Sequence, residues 1–361
     1  MDELMEKRTQ LEKIDAQMAQ LFEQRMKISE GIADFKRRNG LPVLDAERER
    51  ALLQKNAAWV DDPECREYYM QFMKNVMKLS RDCQTRCIAG RRVSYCGTNG
   101  AFGYLAAQKQ FPEAELVGYP DFAGAYAAVE NGDCDCAVLP IENSCAGDVG
   151  SVMDLLFSGS LYVNAMVELD VLQNLIALPG AAPENIRTVV SHPQALEQCS
   201  EYINAHGLKT ISYSNTALAA QAVREKNDPT VAAIASEETA QLFDMEILVR
   251  GINNAHVNTT RFVVLSRAQR LPDPDSRNEN EHFILLFTTR NEAGALAQPL
   301  NIIGAHNFNM RNLRSRPMKG LLWNYYFFVE ASGNIAAPNG QNMLRELSAV
   351  CARLKLVGAY H

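Results

Sequence analysis

A heptad seam near the start constrains this chain more than any other feature. Apolar side chains fall at Leu11, Ile14, Met18 and Leu21, then at Ile28, Ile32 and Phe35, in alternating steps of three and four. The spacing predicts one helix over about residues 4–38, about 50 Å long at 1.5 Å per residue. A stripe of that length is too long for a lone small domain to bury. It must pack along further helices or along a partner chain. Asn39-Gly40-Leu41-Pro42 ends the helix, since Gly suits a C-cap and Pro cannot continue it. Further helices are expected at about 45–58 and 63–88.

One position breaks the seam: the residue its alternation requires after Leu21 is Arg25. A charge on an apolar stripe is costly unless it meets an anion, though an arginine can also snorkel or pair with a neighbouring carboxylate. Lys36 lies about 20° from Arg25 around the helix, so the two cations share a face, whereas Arg8 lies about 100° away. After the turn comes Asp45-Ala46-Glu47-Arg48-Glu49-Arg50, with Asp45 as expected N-cap. Ser80 and Gln84 are four apart on the last helix and share a face.

The rest of the chain has two other textures. Over residues 92–267, short β-rich runs (Arg92–Cys96, Ala137–Pro140, Thr188–Ser191, Val231–Ala235, Phe262–Ser266) alternate with Ala-rich helical stretches, the α/β pattern with ligands at strand ends. Residues 271–281 are polar with two prolines and read as a linker. Residues 282–361 read β-α-β-β-α-β: His282–Thr289, Gly294–His306, Phe308–Arg316, Leu322–Ala331, Gly340–Leu354 and Lys355–Tyr360, a ferredoxin-like split unit. The 361 residues thus divide as 1–90, 91–270, the linker 271–281, and 282–361.

Composition excludes several functions. A net charge of −7 argues against nucleic acid as a partner. No apolar run approaches a membrane span, and the first residues carry no apolar signal core, so a cytoplasmic protein is expected. The nine cysteines have no metal or disulfide spacing, so no metal is expected.

Taken together, the residues of the first segment resemble the all-helical chorismate mutase family. The resemblance implies an intertwined helical dimer in which Arg8, Arg25 and Arg48 bind the carboxylates of chorismate. It further implies that Lys36 and Gln84 contact the ether oxygen and that Asp45, Glu49 and Ser80 complete the pocket. Arg8 would be supplied across the subunit interface, in keeping with its angular offset. Arginine forks suit a dicarboxylate, and a concerted rearrangement to prephenate needs only positioning and charge stabilisation.

The middle segment carries Pro140-Ile141-Glu142-Asn143-Ser144, Ser191-His192-Pro193-Gln194 with Gln198 beyond it, and Thr259-Thr260-Arg261-Phe262. Singly, each has a plain reading as a turn, a helix start or an edge strand. In this order they resemble prephenate dehydratase, a fold of two α/β lobes around a cleft. The resemblance implies Thr260 as the catalytic residue, giving its proton to the leaving hydroxyl. Glu142, Asn143, Ser144, Ser191, Gln198, Thr216 and Phe262 are implied as prephenate contacts. Arg261 either holds a carboxylate or braces the cleft. The loop Gly97-Thr98-Asn99-Gly100-Ala101-Phe102-Gly103 resembles the family's opening, with Gly103 where serine is common. No P-loop ending follows it.

The last segment resembles the ACT regulatory domain fused to such dehydratases. Gly294, Ala295, Leu296, Asn309, Ser315, Arg316 and Pro317 are the residues implied to bind phenylalanine. Arg314 stands where that family usually has glutamate, a charge reversal. The whole implies a multidomain, cofactor-free bifunctional enzyme of phenylalanine biosynthesis, a homodimer or higher even oligomer, with L-phenylalanine as effector. The alternatives are a dehydratase whose helices serve only regulation or dimerisation, and a two-lobed solute-binding module.

Overall fold

The computed structural model describes residues 2–255, 257–276, 278, 280–319 and 324–361. They form two compact units, 1–91 and 92–361.

The first unit is three helices: α1 (Asp2–Asn39), α2 (Ala46–Ala57) and α3 (Pro63–Ala89). α1 stops where Gly40 takes φ 62° and the Leu41 N–H returns to the Lys36 carbonyl at 3.0 Å. Lys36, Arg37 and Arg38 in the last turn suit the negative end of the helix dipole. Asp45 caps α2, accepting the Arg48 N–H at 3.0 Å, and Asp62 with Pro63 starts α3. α1 packs on α3 along its C-terminal half, where Ser29 and Ala33 are buried. Among the described residues of this unit the earlier seam has no cover: Leu11, Ile14, Met18 and Leu21 are 44% to 64% exposed.

The second unit opens with β1 (Arg92–Cys96), α4 (Phe102–Gln110), β2 (Glu115–Tyr119), α5 (Phe122–Asn131) and β3 (Cys136–Asn143). A two-residue strand β4 (Gly147–Asp148), α6 (Gly150–Ser158) and β5 (Tyr162–Asp170) follow. The chain then builds a second lobe: β6 (Asn174–Ala177), β7 (Thr188–Ser191), α7 (Pro193–Gln198), α8 (Ser200–Ala205), β8 (Lys209–Ser212), α9 (Thr216–Lys226), β9 (Val231–Ala235), α10 (Glu237–Leu242) and β10 (Glu246–Val249). It returns to the first lobe as β11 (Thr259–Ser266), antiparallel between β3 and β5. The two crossings between lobes are tied together. The Ile252 N–H reaches the Gln173 carbonyl at 2.9 Å, and the Val171 N–H reaches the Asn258 carbonyl at 2.7 Å.

The C-terminal stretch is β12 (His282–Thr288), α11 (Ala297–Ala305), β13 (Asn309–Pro317), β14 (Tyr325–Ser332), α12 (Pro338–Val350) and β15 (Arg353–Tyr360). Its strands run β13-β14-β12-β15 and join the first-lobe sheet where β15 meets β5, so one sheet runs through both. Gly358 permits that junction, because any Cβ there would collide with the Val163 backbone. β12 reads as an unbroken apolar run because both its faces are buried. Phe283, Leu285 and Phe287 share a core with Ile303 of α11 and Met343 and Leu347 of α12, while Ile284 and Leu286 pack with Tyr126, Met153 and Leu156 of the first lobe.

Element bounds shift by a few residues from the sequence expectation. Residues 294–296 are a turn ahead of α11, and Arg353 and Leu354 leave the expected last helix to pair with Thr288 and Phe287. β14 begins at Tyr325; the expected start at Leu322 lies outside the described residues. The polar linker is pinned: Asn334 donates to the Asp273 carbonyl at 2.7 Å, and Ser276 to Glu281 at 2.6 Å.

Candidate functional site

Each unit holds a cavity at residues singled out from the sequence. In the helical unit a space of about 860 Å³ lies between the end of α1 and the start of α2. It brings together Lys36, Asp45 and Arg48, with Ile28, Ile32 and Phe35 as apolar walls. Lys36 donates to the Val43 carbonyl at 2.5 Å. Arg25, Ser80 and Gln84 form a second group. Arg25 reaches the Ser80 hydroxyl and, at 3.4 Å, the Val76 carbonyl, and partial burial lowers its pKa. Gln84, one turn beyond Ser80, is buried with its Oε1 unpartnered. Glu49 is held by Arg81 at 2.6 Å, outside the cavity lining. Arg8 is exposed, and 28 residues of straight helix put it roughly 42 Å from Lys36. No single chain can bring those two side chains to one ligand.

In the second unit a cavity of about 1030 Å³ opens between the lobes. Thr260, Phe262 and Asn143 line it from the first lobe, and Gln198 and Thr216 from the second. Strand pairing sets the centre: Thr260 on β11 lies opposite Asn143 on β3. The Asn143 amide donates to Thr260 Oγ1 at 2.9 Å and to Asn258 Oδ1 at 2.7 Å. Its own Oδ1 accepts the N–H groups of Cys145 (3.0 Å) and Ala146 (2.8 Å). The amide is fully committed, and Thr260 keeps its own O–H free to donate. His192 accepts the Gln194 N–H at 3.2 Å on Nδ1, which caps α7, and burial lowers its pKa. It stands neutral, with its proton on Nε2.

The prephenate dehydratase family model matches residues 93–270, and the chorismate mutase type II model matches residues 7–85. The bifunctional chorismate mutase/prephenate dehydratase of Enterobacter agglomerans is 30% identical over 373 residues, covering 99% of this chain and 95% of that one. The chain belongs to the bifunctional chorismate mutase/prephenate dehydratase family. Among solved structures, GqqA, described as a novel type of quorum quenching acylase, is 32% identical with a TM-score of 0.68, over 75% of this chain and 97% of that one. A prephenate dehydratase from Arthrobacter aurescens, in complex with L-Phe, is 24% identical with a TM-score of 0.69, over 74% and 89%.

Within the dehydratase domain, strand alternation sorts the expected residues. Thr260 and Phe262 face the cavity, and Arg261 between them faces away. It meets Glu330 of β14 (2.7 and 3.0 Å), Tyr360 of β15 (3.0 Å) and Glu142 (3.3 Å). Burial alone would raise the Glu330 pKa, but hydrogen bonds from Arg261 and Tyr360 outweigh it and hold the carboxyl below its usual value. Of the two roles open to Arg261, this geometry is bracing. Glu142, Ser144 and Ser191 also lie off the cavity lining. Glu142 is spent on arginines, Ser144 Oγ accepts the Thr259 N–H at 3.0 Å, and Ser191 donates to the Ile234 carbonyl at 2.6 Å. Gly103 is needed where it stands, because a Cβ there would come within 2.8 Å of the Cys96 carbonyl.

No Lys or Arg is among the described lining residues of this cavity. Its anion-binding capacity lies in neutral donors. α4 and α6 both start at the cavity without a side-chain cap, leaving first-turn N–H groups open.

Of the residues implied to bind phenylalanine, Asn309, Ser315 and Pro317 are exposed on β13, and Gly294 (φ 81°) lies in an exposed turn with Ala295 and Leu296 beside it. Arg316 turns inward to Asp154 of α6 at 3.1 Å and to the Tyr326 hydroxyl at 3.1 Å.

Sequence reasoning missed Asn258, Gln173, Glu330 and Tyr360. Asn258 stands two residues before Thr260 on the same run, a signal that was present. Gln173 lines the cavity from the crossing between lobes. Glu330 and Tyr360 are distant in sequence and carry no local mark.

Proposed function

We propose that the chain converts chorismate to prephenate in the helical unit and prephenate to phenylpyruvate in the cleft, with L-phenylalanine as effector on an ACT-type C-terminal domain. The observation that carries the second activity is the Asn143–Thr260 pair in a cavity with no Lys or Arg among its described lining residues. In the dehydratase step the ring carboxylate leaves as carbon dioxide. Its bonding electrons enter the ring, the C–O bond to the ring hydroxyl breaks, and the departing oxygen takes a proton. Thr260 supplies that proton from the O–H that Asn143 leaves free, and solvent restores it. A fixed cation on the ring carboxylate would stabilise the ground state against its loss, so a lining without Lys or Arg among the described residues suits the reaction. The helix N-termini of α4 and α6 suit the carboxylate that stays.

The mutase step needs cations around a folded dicarboxylate and a donor at the ether oxygen. Lys36 and Arg48 serve from one cavity, and Gln84 has an uncommitted buried amide. Arg8 comes from a second chain, whose α1 covers the exposed seam. The working form is therefore a homodimer or a higher even oligomer, acting in the cytoplasm.

An acylase reading needs a base to activate a nucleophile. His192 is spent as an acceptor on Nδ1, and Asn143 donates to Thr260 rather than taking its proton. The test of function supplies chorismate and follows prephenate and phenylpyruvate, with and without phenylalanine. Absence of prephenate sinks the first assignment, and prephenate accumulating untouched sinks the second. Unchanged turnover with phenylalanine sinks the third.

A further inference from the structure

β3 and β4 form a short hairpin, and β3 ends on Asn143, the residue that fixes Thr260. Its outer pair is Glu142 opposite Asp148. Two carboxylates directly opposed across a hairpin repel, and here both side chains are about three-quarters buried, at 24% and 22% exposed. Such a pair needs a cation between its members. The first lobe supplies Arg261 to Glu142 alone, and that arginine is mainly engaged with Glu330. The C-terminal segment supplies Arg314 to both. Its guanidinium hydrogen-bonds Glu142 with one terminal nitrogen and ion-pairs Asp148 with the other, while its Nε is fixed by Asn312 at 2.9 Å. One side chain thus bridges the two ends of the cleft hairpin. The next pair inward is Asn143 opposite Gly147, and Asp148, Val149 and Gly150 continue as cavity wall.

We infer that Arg314 is a positioning residue for the dehydratase reaction: by neutralising Glu142 and Asp148 it holds the hairpin in the register that sets Asn143 on Thr260. This rests on the dehydratase reading of the cleft. It gives the C-terminal segment a part in the active site itself, independent of any effector. The charge at position 314, reversed from the family's usual one, meets two carboxylates here.

The test compares Arg314→Met, Arg314→Lys, Asp148→Asn and the double variant Arg314→Met/Asp148→Asn in the full chain. Prephenate turnover and amide hydrogen exchange over residues 143–149 are measured in each. In Arg314→Met, kcat should fall roughly ten- to hundredfold with KM little changed, as misplacement of a reacting group predicts. Exchange in the hairpin should rise, and mutase turnover on the same chain should stay the same. Arg314→Lys should recover part of the rate. The double variant should approach Asp148→Asn alone in both readouts, because a hairpin with one carboxylate removed no longer needs the cation. Unchanged kcat and exchange in Arg314→Met would overturn the inference, as would a loss that Asp148→Asn does not relieve. If the unmodified chain turns over no prephenate, the dehydratase reading has failed, and the exchange data still decide whether Arg314 holds the hairpin.

Discussion

On the proposed function, the helical unit and the interlobe cleft both hold a dianion, with opposite materials. The helical cavity gathers Lys36 and Arg48, and Arg25 stands on an apolar stripe nearby. The cleft has neither lysine nor arginine among its described lining residues and offers helix N-termini and amides. The reactions explain the difference. A rearrangement that keeps both carboxylates can hold each with a cation, whereas a decarboxylation must let one go. They also differ in completeness. The cleft closes within one chain, its two halves tied by crossings between lobes and by charged contacts from the C-terminal strands. The helical unit leaves its seam bare and Arg8 too far from Lys36 to serve the same ligand.

That contrast can be broken at several points. The largest expected effect is Thr260→Ala, which should lower phenylpyruvate formation roughly 10²- to 10⁴-fold while prephenate formation continues, as seen by following both products. Next, Leu21→Asp puts a charge on the bare seam. Mutase activity should fall at least about tenfold and the protein should sediment as a smaller species, with dehydratase turnover retained. Arg25→Ala should remove mutase activity alone; loss of both activities with the fold intact would contradict separate sites. Gly358→Ala should lower the melting temperature of the second unit and leave the helical unit unchanged, since the sheet junction has no room for a methyl group.

The smallest effect concerns pH. Lys355 donates to the Leu156 and Gly159 carbonyls at 2.7 and 2.5 Å, at the end of α6. Burial lowers its pKa from 10.5 to about 8. Between those values the unfolded chain binds the proton and the folded chain does not, so this group makes stability rise with pH from about 8 toward 10.5. Lys355→Met should flatten that rise in denaturant titrations.

Much of this was legible in the sequence, and the reasons are local. The seam, its break at Arg25 and the stop at Gly40 follow from helical period and backbone freedom alone. The apolar run of β12 was legible as a strand, and its burial on both faces came only with the structure. The direction of Arg261 was also available, since a strand that turns Thr260 inward must turn the next residue outward. What stayed hidden is non-local. Glu330 and Tyr360 meet Arg261 only because the C-terminal sheet continues the first-lobe sheet. Arg314 and Glu142 stand 172 residues apart in the chain. Glu142 could be recognised as part of a cleft motif, but the arginines that draw it off the cavity could not.

Subunit complementation tests the central contrast most directly. Arg8→Ala and Arg48→Ala chains, co-expressed, should recover about a quarter of wild-type mutase activity. Half the dimers are mixed, and each mixed dimer rebuilds one of its two sites. Asn143→Ala and Thr260→Ala chains, co-expressed, should recover no dehydratase activity beyond the mean of the two alone. Failure of the first pair to complement, or complementation by the second, would contradict the account of one shared site and one self-contained site.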